Sequence, residues 1–179
     1  MKHRIRYIIL WFILNLLLFY TIPSQALFTV KKAECTSLDL KHSYFKHCEM
    51  RTDAKGQTLL NIYVAMRDKR PINDIIINIC LFKIAKNYRM PILNETIDFC
   101  AYMGASVMSK MFAFINRHFN KFTNANHSCP YQHDIIYYGV DKERFLSEIP
   151  APKGNYVLLM RVGTNQKWKA DVKFYAVKH

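Results

Sequence analysis

The sequence predicts a mainly β protein, a β-sandwich with one inserted helix. Three observations predict it: apolar and polar residues alternate in eight segments, turn-forming residues separate these segments, and one stretch has a helical period instead. Such alternation is typical of strands with one buried face. Eight short strands separated by turns favour two packed antiparallel sheets.

The last segment shows the alternation most clearly. Its even-numbered positions from Trp168 to Ala176 are apolar, whereas its odd-numbered positions from Lys167 to Lys173 are charged. We therefore predict that the even-numbered side chains share the buried face. Similar patterns predict seven further strands, at Leu27–Ser37, Ser43–Thr52, Gln57–Arg67, Asp74–Ala85, Pro91–Tyr102, Tyr131–Tyr138 and Asn155–Val162.

Residues 105–121 have a different period. Apolar side chains recur there at three- and four-residue spacing, at Val107, Met108, Met111, Phe112, Ile115 and Phe119. This spacing predicts one amphipathic helix. Its Met and Phe stripe is interpreted as core contact, with contact to a ligand as the alternative.

The N-terminal segment has the features of a secretory signal peptide. Lys2, Arg4 and Arg6 precede an apolar run over residues 7–20, and Ser24-Gln25-Ala26 supplies small residues for cleavage. We predict cleavage after Ala26, which leaves residues 27–179 as one secreted, extracellular domain. The alternative is an uncleaved anchor, but the run is shorter than the roughly 20 apolar residues that a spanning helix needs.

Two sequence features agree with an extracellular location. Asn94-Glu95-Thr96 and Asn126-His127-Ser128 are acceptor motifs for N-glycosylation, which we predict at Asn94 and Asn126. The predicted mature chain also contains five cysteines, and disulfide bonds persist in the same oxidising compartment. The odd number leaves at least one cysteine without an intramolecular partner, and spacing alone leaves the connectivity open.

The predicted mature chain is basic. Three of the 26 Lys and Arg residues and none of the 13 Asp and Glu residues lie in residues 1–26, which leaves a formal charge of +10. Outside a cell this charge favours attraction to an anionic membrane surface or glycan, or it simply gives a well-solvated surface. The basic residues form no dense run, so we expect no nucleic-acid partner.

The sequence contains no recognisable catalytic motif. It has no nucleophile elbow, no His-Glu-x-x-His and no glycine-rich phosphate loop. We expect a protein that is not an enzyme and has neither cofactor nor metal. The histidines at positions 42, 47, 127 and 133 are interpreted as surface or second-layer residues, and Asp98 as a structural carboxylate.

The predicted strands carry enough apolar side chains to fill a core or to line a cavity between the sheets. Such a cavity binds acyl chains or sterols by burying CH₂ groups. Alternation does not distinguish a closed core from an open one. The candidate lining residues are Ile62, Val64, Ile77, Ile79, Met111, Ile115, Leu159, Trp168 and Phe174.

Four motifs in order carry a resemblance to a known family: Asn94–Cys100, Asn124–Tyr131, Pro150–Tyr156 and Trp168–Val172. Together they resemble a large family of secreted, mostly uncharacterised insect proteins that is expanded in flies. The resemblance extends from about Phe28 to Tyr175. This family is distantly similar to the ML lipid-recognition domain of the ganglioside activator and the Niemann–Pick-type sterol carrier, an immunoglobulin-like β-sandwich with a lipid cavity between its sheets.

The resemblance also bears on the cysteines. Cys35, Cys48, Cys100 and Cys129 stand where the cysteines of that family usually stand, and Cys80 is additional. We predict the disulfide bonds Cys35–Cys48 and Cys100–Cys129, because each pair flanks a local turn or the predicted helix. Cys80 lies in the middle of a predicted strand, where a lone cysteine usually behaves as a small buried hydrophobe.

The resemblance implies a non-enzymatic carrier of a hydrophobic, lipid-like ligand. Some insect relatives are linked to contact chemosensation, which extends the expectation to a chemosensory role with a membrane receptor or an anionic membrane surface as a further partner. The alternative is a secreted adhesion or receptor-docking module with a closed core. The two hypotheses differ in whether a cavity separates the sheets.

Overall fold

The computed structural model describes residues 28–86, 88–104, 110–141, 149 and 151–179. The predicted signal peptide, residues 1–26, lies outside them. The described residues form a β-sandwich, as the alternation predicts. Its strands are β1 (Phe28–Ser37), β2 (Ser43–Thr52), β3 (Thr58–Met66), β4 (Ile76–Ala85), β5 (Tyr88–Asp98), β6 (Ile135–Asp141), β7 (Gly154–Thr164) and β8 (Lys167–Lys178).

All strand pairs in the described residues are antiparallel. A large sheet has the order β1-β8-β7-β4-β5, and a small sheet has the order β2-β3-β6. The inward residues of both sheets form the core. Leu60, Ile79, Val140 and Tyr156, from four different strands, are each at most 2% exposed.

The two predicted disulfide bonds are present. Cys35–Cys48 joins β1 of the large sheet to β2 of the small sheet, with 6.1 Å between Cα atoms. Cys100–Cys129 joins a helix to residues 123–134, the segment before β6, with 5.5 Å between Cα atoms. Each bond is expected to stabilise the fold by roughly 3 kcal/mol through loop closure. Cys80 is free and buried in mid-strand, and burial raises the pKa of its thiol.

The helical region differs in part from the prediction. Of the predicted helix over residues 105–121, the structure describes α2 (Lys110–Phe119), which is followed by a 3₁₀ turn (Asn120–Phe122). Residues 105–109 lie outside the described residues. A shorter helix, α1 (Phe99–Gly104), precedes it. The sequence did not predict α1.

Helix α1 shortens the predicted strand Pro91–Tyr102, which is wrong at its C-terminal end. The strand ends at Asp98 because the Asp98 carboxylate accepts a hydrogen bond from the Ala101 N–H at 2.9 Å. This bond caps the N-terminus of α1. Asp98 is thus a structural carboxylate, as the sequence predicts.

The predicted strand Tyr131–Tyr138 also begins later than expected, at Ile135. Tyr131 instead pairs with Ile72: the Ile72 N–H donates to the Tyr131 carbonyl at 2.9 Å, and the Tyr131 N–H donates back at 3.0 Å. This bridge holds the segment before β6 across one end of the sandwich.

Among the described residues, no helix combines the length and apolarity needed to cross a bilayer.

We expect the Asp98 cap to contribute measurably to stability. Asp98→Ala removes the acceptor for the Ala101 N–H and should lower the free energy of unfolding by about 1 kcal/mol in urea denaturation of the oxidised protein. Asp98→Asn keeps an acceptor oxygen and serves as the control, with a much smaller loss. Equal losses in both variants would contradict the capping role.

Candidate ligand-binding cavity

A cavity of about 190 Å³ lies between the two sheets and is partly open to solvent. It occupies the end of the sandwich where β3 and β7 finish and β2 and β6 begin, as its lining residues Met66, Thr164, Ser43 and Ile135 show. Its volume exceeds the roughly 150 Å³ of an apolar cavity that binds benzene. The space is therefore large enough for a small apolar molecule.

Both sheets contribute apolar side chains to the cavity wall. These side chains lie at inward positions, because successive residues of a strand point to opposite faces. The large sheet contributes Ile77, Met160, Val162, Ala170, Val172 and Phe174. The small sheet contributes Phe45, Ile62, Val64, Met66, Ile135 and Tyr137.

An aromatic wall closes one side of the cavity. It consists of Phe99 of α1, Phe112 and Phe119 of α2, and Tyr131 of the segment before β6. The ring of Phe99 lies 5.6 Å from that of Phe112 and 5.8 Å from that of Tyr131, measured between centroids. Phe119 contacts Tyr137 of β6 in an edge-to-face arrangement at 5.8 Å. These contacts join α1 and α2 to the small sheet.

The Cys100–Cys129 bond maintains this aromatic wall. Cys100 directly follows Phe99, and Cys129 lies two residues before Tyr131. The disulfide bond therefore holds the backbones that carry these two rings close together. The helical region and the segment before β6 form one continuous wall.

The cavity lining also contains polar residues, among them His42, Thr164 and Lys169. The Lys169 Nζ is 2.7 Å from a carboxylate oxygen of Asp39, and this bond lowers the pKa of Asp39. Burial is the main cause that lowers the pKa of His42, with the charge of Lys169 adding to it. The His42 imidazole is therefore neutral at pH 7. The Thr164 hydroxyl donates to Asp74 at 2.6 Å.

Asp134 anchors the segment before β6 to the end of β3. Its carboxylate accepts hydrogen bonds from the Tyr63 hydroxyl at 2.7 Å, the Met66 N–H at 2.9 Å and the Lys69 ammonium at 3.1 Å. These bonds, led by that of Tyr63, lower the pKa of Asp134 to about 2. Its neighbours His133 and Ile135 line the cavity.

Four of the predicted lining residues, Ile62, Val64, Ile77 and Phe174, do line the cavity. Ile79 faces inward on the same strand as Ile77 but lies in the closed part of the core, where it is 1% exposed. The side chains of Met111 and Ile115 lie outside the described part of the structure.

Trp168 was predicted to face inward and does not. In the pairing of β7 with β8, Val162 lies opposite Ala170 but Gly163 lies opposite Trp168, so Lys169 is an extra residue on β8. This β-bulge shifts the alternation by one position. Trp168 consequently lies on the outer face, 40% exposed, with its ring centroid 5.6 Å from the guanidinium of Arg161.

Leu159 also lies on the outer face, contrary to the prediction. It pairs with Cys80 and Lys173, whereas its neighbour Leu158 belongs to the core. The prediction failed because β7 is apolar on both faces between Tyr156 and Met160. An uninterrupted apolar run carries no information about which face is buried.

Sequence reasoning missed the aromatic wall. Phe99 was assigned to a strand, and Tyr131 to the start of another, so neither was included in the predicted lining. One signal was available for Phe99: an Asp directly before an apolar segment is a helix N-cap pattern. Nothing local to Tyr131 indicates that it pairs with Ile72.

The remaining site predictions are structurally possible. Asn94 and Asn126 are both exposed, as attachment of a glycan requires, and their glycosylation stays a prediction. Across residues 28–86, 88–104, 110–141, 149 and 151–179, no three His, Cys, Asp or Glu side chains are grouped so that they could hold a metal ion.

Residues 77–158 match the profile of a family described as "Protein of unknown function (DUF1091)". The match covers less than half of the chain and extends from β4 into β7, so it includes both helices and the aromatic wall. No curated protein matches this sequence.

The low pKa of Asp134 leads to a testable pH dependence. An Asp in the unfolded chain has a pKa of about 3.9. Because the folded value is lower, the bonds of Asp134 stabilise the fold above about pH 4, and this contribution disappears as the pH falls towards 2. Wild-type protein should therefore lose stability more steeply than Asp134→Asn over this range, measured by urea midpoints. Parallel curves would contradict the anchoring role.

Proposed function

We propose that the protein binds one hydrophobic, lipid-like molecule between its sheets and carries it outside the cell. The observation that supports this most directly is the apolar cavity of about 190 Å³, whose walls come from both sheets. A fully packed sandwich has few voids larger than a water molecule. The cavity favours a carrier over a docking module with a closed core.

The size of the cavity suits a small apolar molecule or one end of a longer chain that leaves through the opening. Each CH₂ group that enters contributes about 0.8 kcal/mol. His42 and Lys169 in the cavity lining can donate hydrogen bonds to a carboxyl, hydroxyl or ester group. This arrangement combines an apolar pocket with a few polar groups that fix the ligand's orientation.

The resemblance to secreted insect proteins, and through them to the ML domain, supports the same function. It agrees with two disulfide bonds that are compatible with an extracellular protein. A fatty-acid derivative or a cuticular hydrocarbon in chemosensory tissue is the ligand class that this resemblance suggests. On this proposal the protein acts without catalysis.

An exposed apolar patch beside the lining residue Lys169 supports contact with an anionic membrane surface during loading or release. Leu38 and Leu40 in the β1–β2 turn are 47% and 60% exposed, and the Leu38 N–H donates to the Lys169 carbonyl at 2.8 Å, one residue from Trp168. The exposed Lys41 stands beside Leu40. Exposed apolar and basic residues together favour a membrane interface.

Two isoleucines of β4 provide a matched test of the cavity. Ile77→Phe adds volume at a position that lines the cavity, and we expect loss of ligand with little change in Tm. Ile79→Phe adds the same volume in closed packing and should lower stability by about 1–3 kcal/mol. Ligand retention is measured by native mass spectrometry and lipid extraction of protein secreted from insect cells.

The alternative function predicts a different result. If both variants lose similar stability and the wild-type protein retains no lipid, the sandwich core is closed in solution. The protein would then be an adhesion or receptor-docking module that acts through its surface.

A further inference from the structure

We propose that His127 and His133 form a binding site for a transition-metal ion, with Zn²⁺ and Cu²⁺ as the ions that suit it. The site lies on the segment before β6, where His133 also lines the cavity. The proposal rests on the two imidazole rings and does not require a ligand in the cavity.

The two imidazole rings converge on one point. The Nε2 atoms of His127 and His133 are 2.8 Å apart, and the ring centroids are 5.1 Å apart at an interplanar angle of 50°. The two residues are six positions apart in the sequence, with a bend at Cys129 between them. His127 is exposed, so solvent reaches the site.

The Nδ1 atoms of both rings face backbone carbonyls. His127 Nδ1 is 2.7 Å from the Ser128 oxygen, and His133 Nδ1 is 2.8 Å from the Asp134 oxygen. A carbonyl only accepts hydrogen bonds, so these contacts favour the tautomer with the proton of each ring on Nδ1 and the lone pair on Nε2. A metal-bound histidine typically donates its other ring N–H to a carbonyl or carboxylate in this way.

Two lone pairs at this distance repel unless a positive charge lies between them. A shared proton meets this need, and so does a metal ion that coordinates both nitrogens. Asn124 Nδ2 lies 2.7 Å from the same Asp134 oxygen and 3.2 Å from His133 Nδ1. A carbonyl has two lone pairs and can accept from both donors.

Tyr131 and its contacts hold the pair in place. The His127 ring stacks on the Tyr131 ring at 4.4 Å between centroids, and the Tyr131 hydroxyl donates to the His127 carbonyl. Tyr131 itself is 2% exposed and is fixed by its backbone bridge to Ile72. Because these contacts already hold the two imidazole rings, little conformational entropy is lost when an ion binds.

The geometry needs only a small adjustment to accept Zn²⁺. Two Zn–N bonds of about 2.0–2.1 Å at a tetrahedral angle place the nitrogens about 3.3 Å apart. The Nε2 atoms would separate by about half an ångström. Imidazole suits Zn²⁺ and Cu²⁺ rather than Ca²⁺ or Mg²⁺, and water would complete the coordination. The Asp134 carboxylate is already bonded to Tyr63, Met66 and Lys69.

The experiment is a calorimetric titration of ZnCl₂ into the oxidised, tag-free protein after removal of metal with EDTA. We expect His127→Gln and His133→Gln each to weaken binding by at least about tenfold, because each removes one of the two protein ligands. His47→Gln, at an exposed position on β2, is the matched control and should bind as the wild type does. Thermal melts of each variant confirm that it is folded.

A spectroscopic readout separates the site from adventitious binding. With CuCl₂, electron paramagnetic resonance should show coupling to two imidazole nitrogens, and to one in either variant. Equal affinities in the wild type and both variants, or an unchanged spectrum, would overturn the proposal and leave the pair as an N–H···N hydrogen bond.

Discussion

The structure depends on how two sheets of unequal width cover each other. Within the part of the chain that the structure describes, five strands form the large sheet and three form the small sheet. The small sheet alone is therefore too narrow to bury the whole inner face of the large one. The Cys35–Cys48 bond fixes β1 to β2 at one side of the sandwich. On the other side, α1 contacts β4 and β5, and its Phe99 meets the aromatic rings that lead to the small sheet.

This arrangement accounts for the position of the cavity. Paired sheets pack about 10 Å apart with interdigitated side chains, which fills the space between them closely. Where helices replace strands, the inward side chains meet aromatic rings at varied angles, and the packing is less regular. Ile77 and Ile79 illustrate the difference: they share a strand and a face, but only Ile77 lies where the helical region forms the opposite wall.

Much of the fold could be predicted from the sequence, and less of the site. The bounds of β2 agree with the predicted Ser43–Thr52, because its ends coincide with local changes in the pattern. The site depends on which face of the sheet each side chain occupies as well as on strand bounds. A single inserted residue reverses the face for the residues beyond it. Lys169 shows this: one extra residue in β8 transfers Trp168 to the outer face. The His127–His133 pair shows a similar limit, because no sequence pattern indicates that these two rings come into contact.

The sequence by itself determined the β-rich class and most of the strand segments, which depend on local periodicity that a linear pattern contains. The choice of the four cysteines that form disulfide bonds also drew on the family resemblance, because spacing alone leaves their pairing open. Only the tertiary structure decided which apolar side chains line a cavity, which fill the core and which lie outside. That distinction depends on what stands opposite each side chain, and the opposing residue, such as Ile72 for Tyr131, comes from a distant part of the chain.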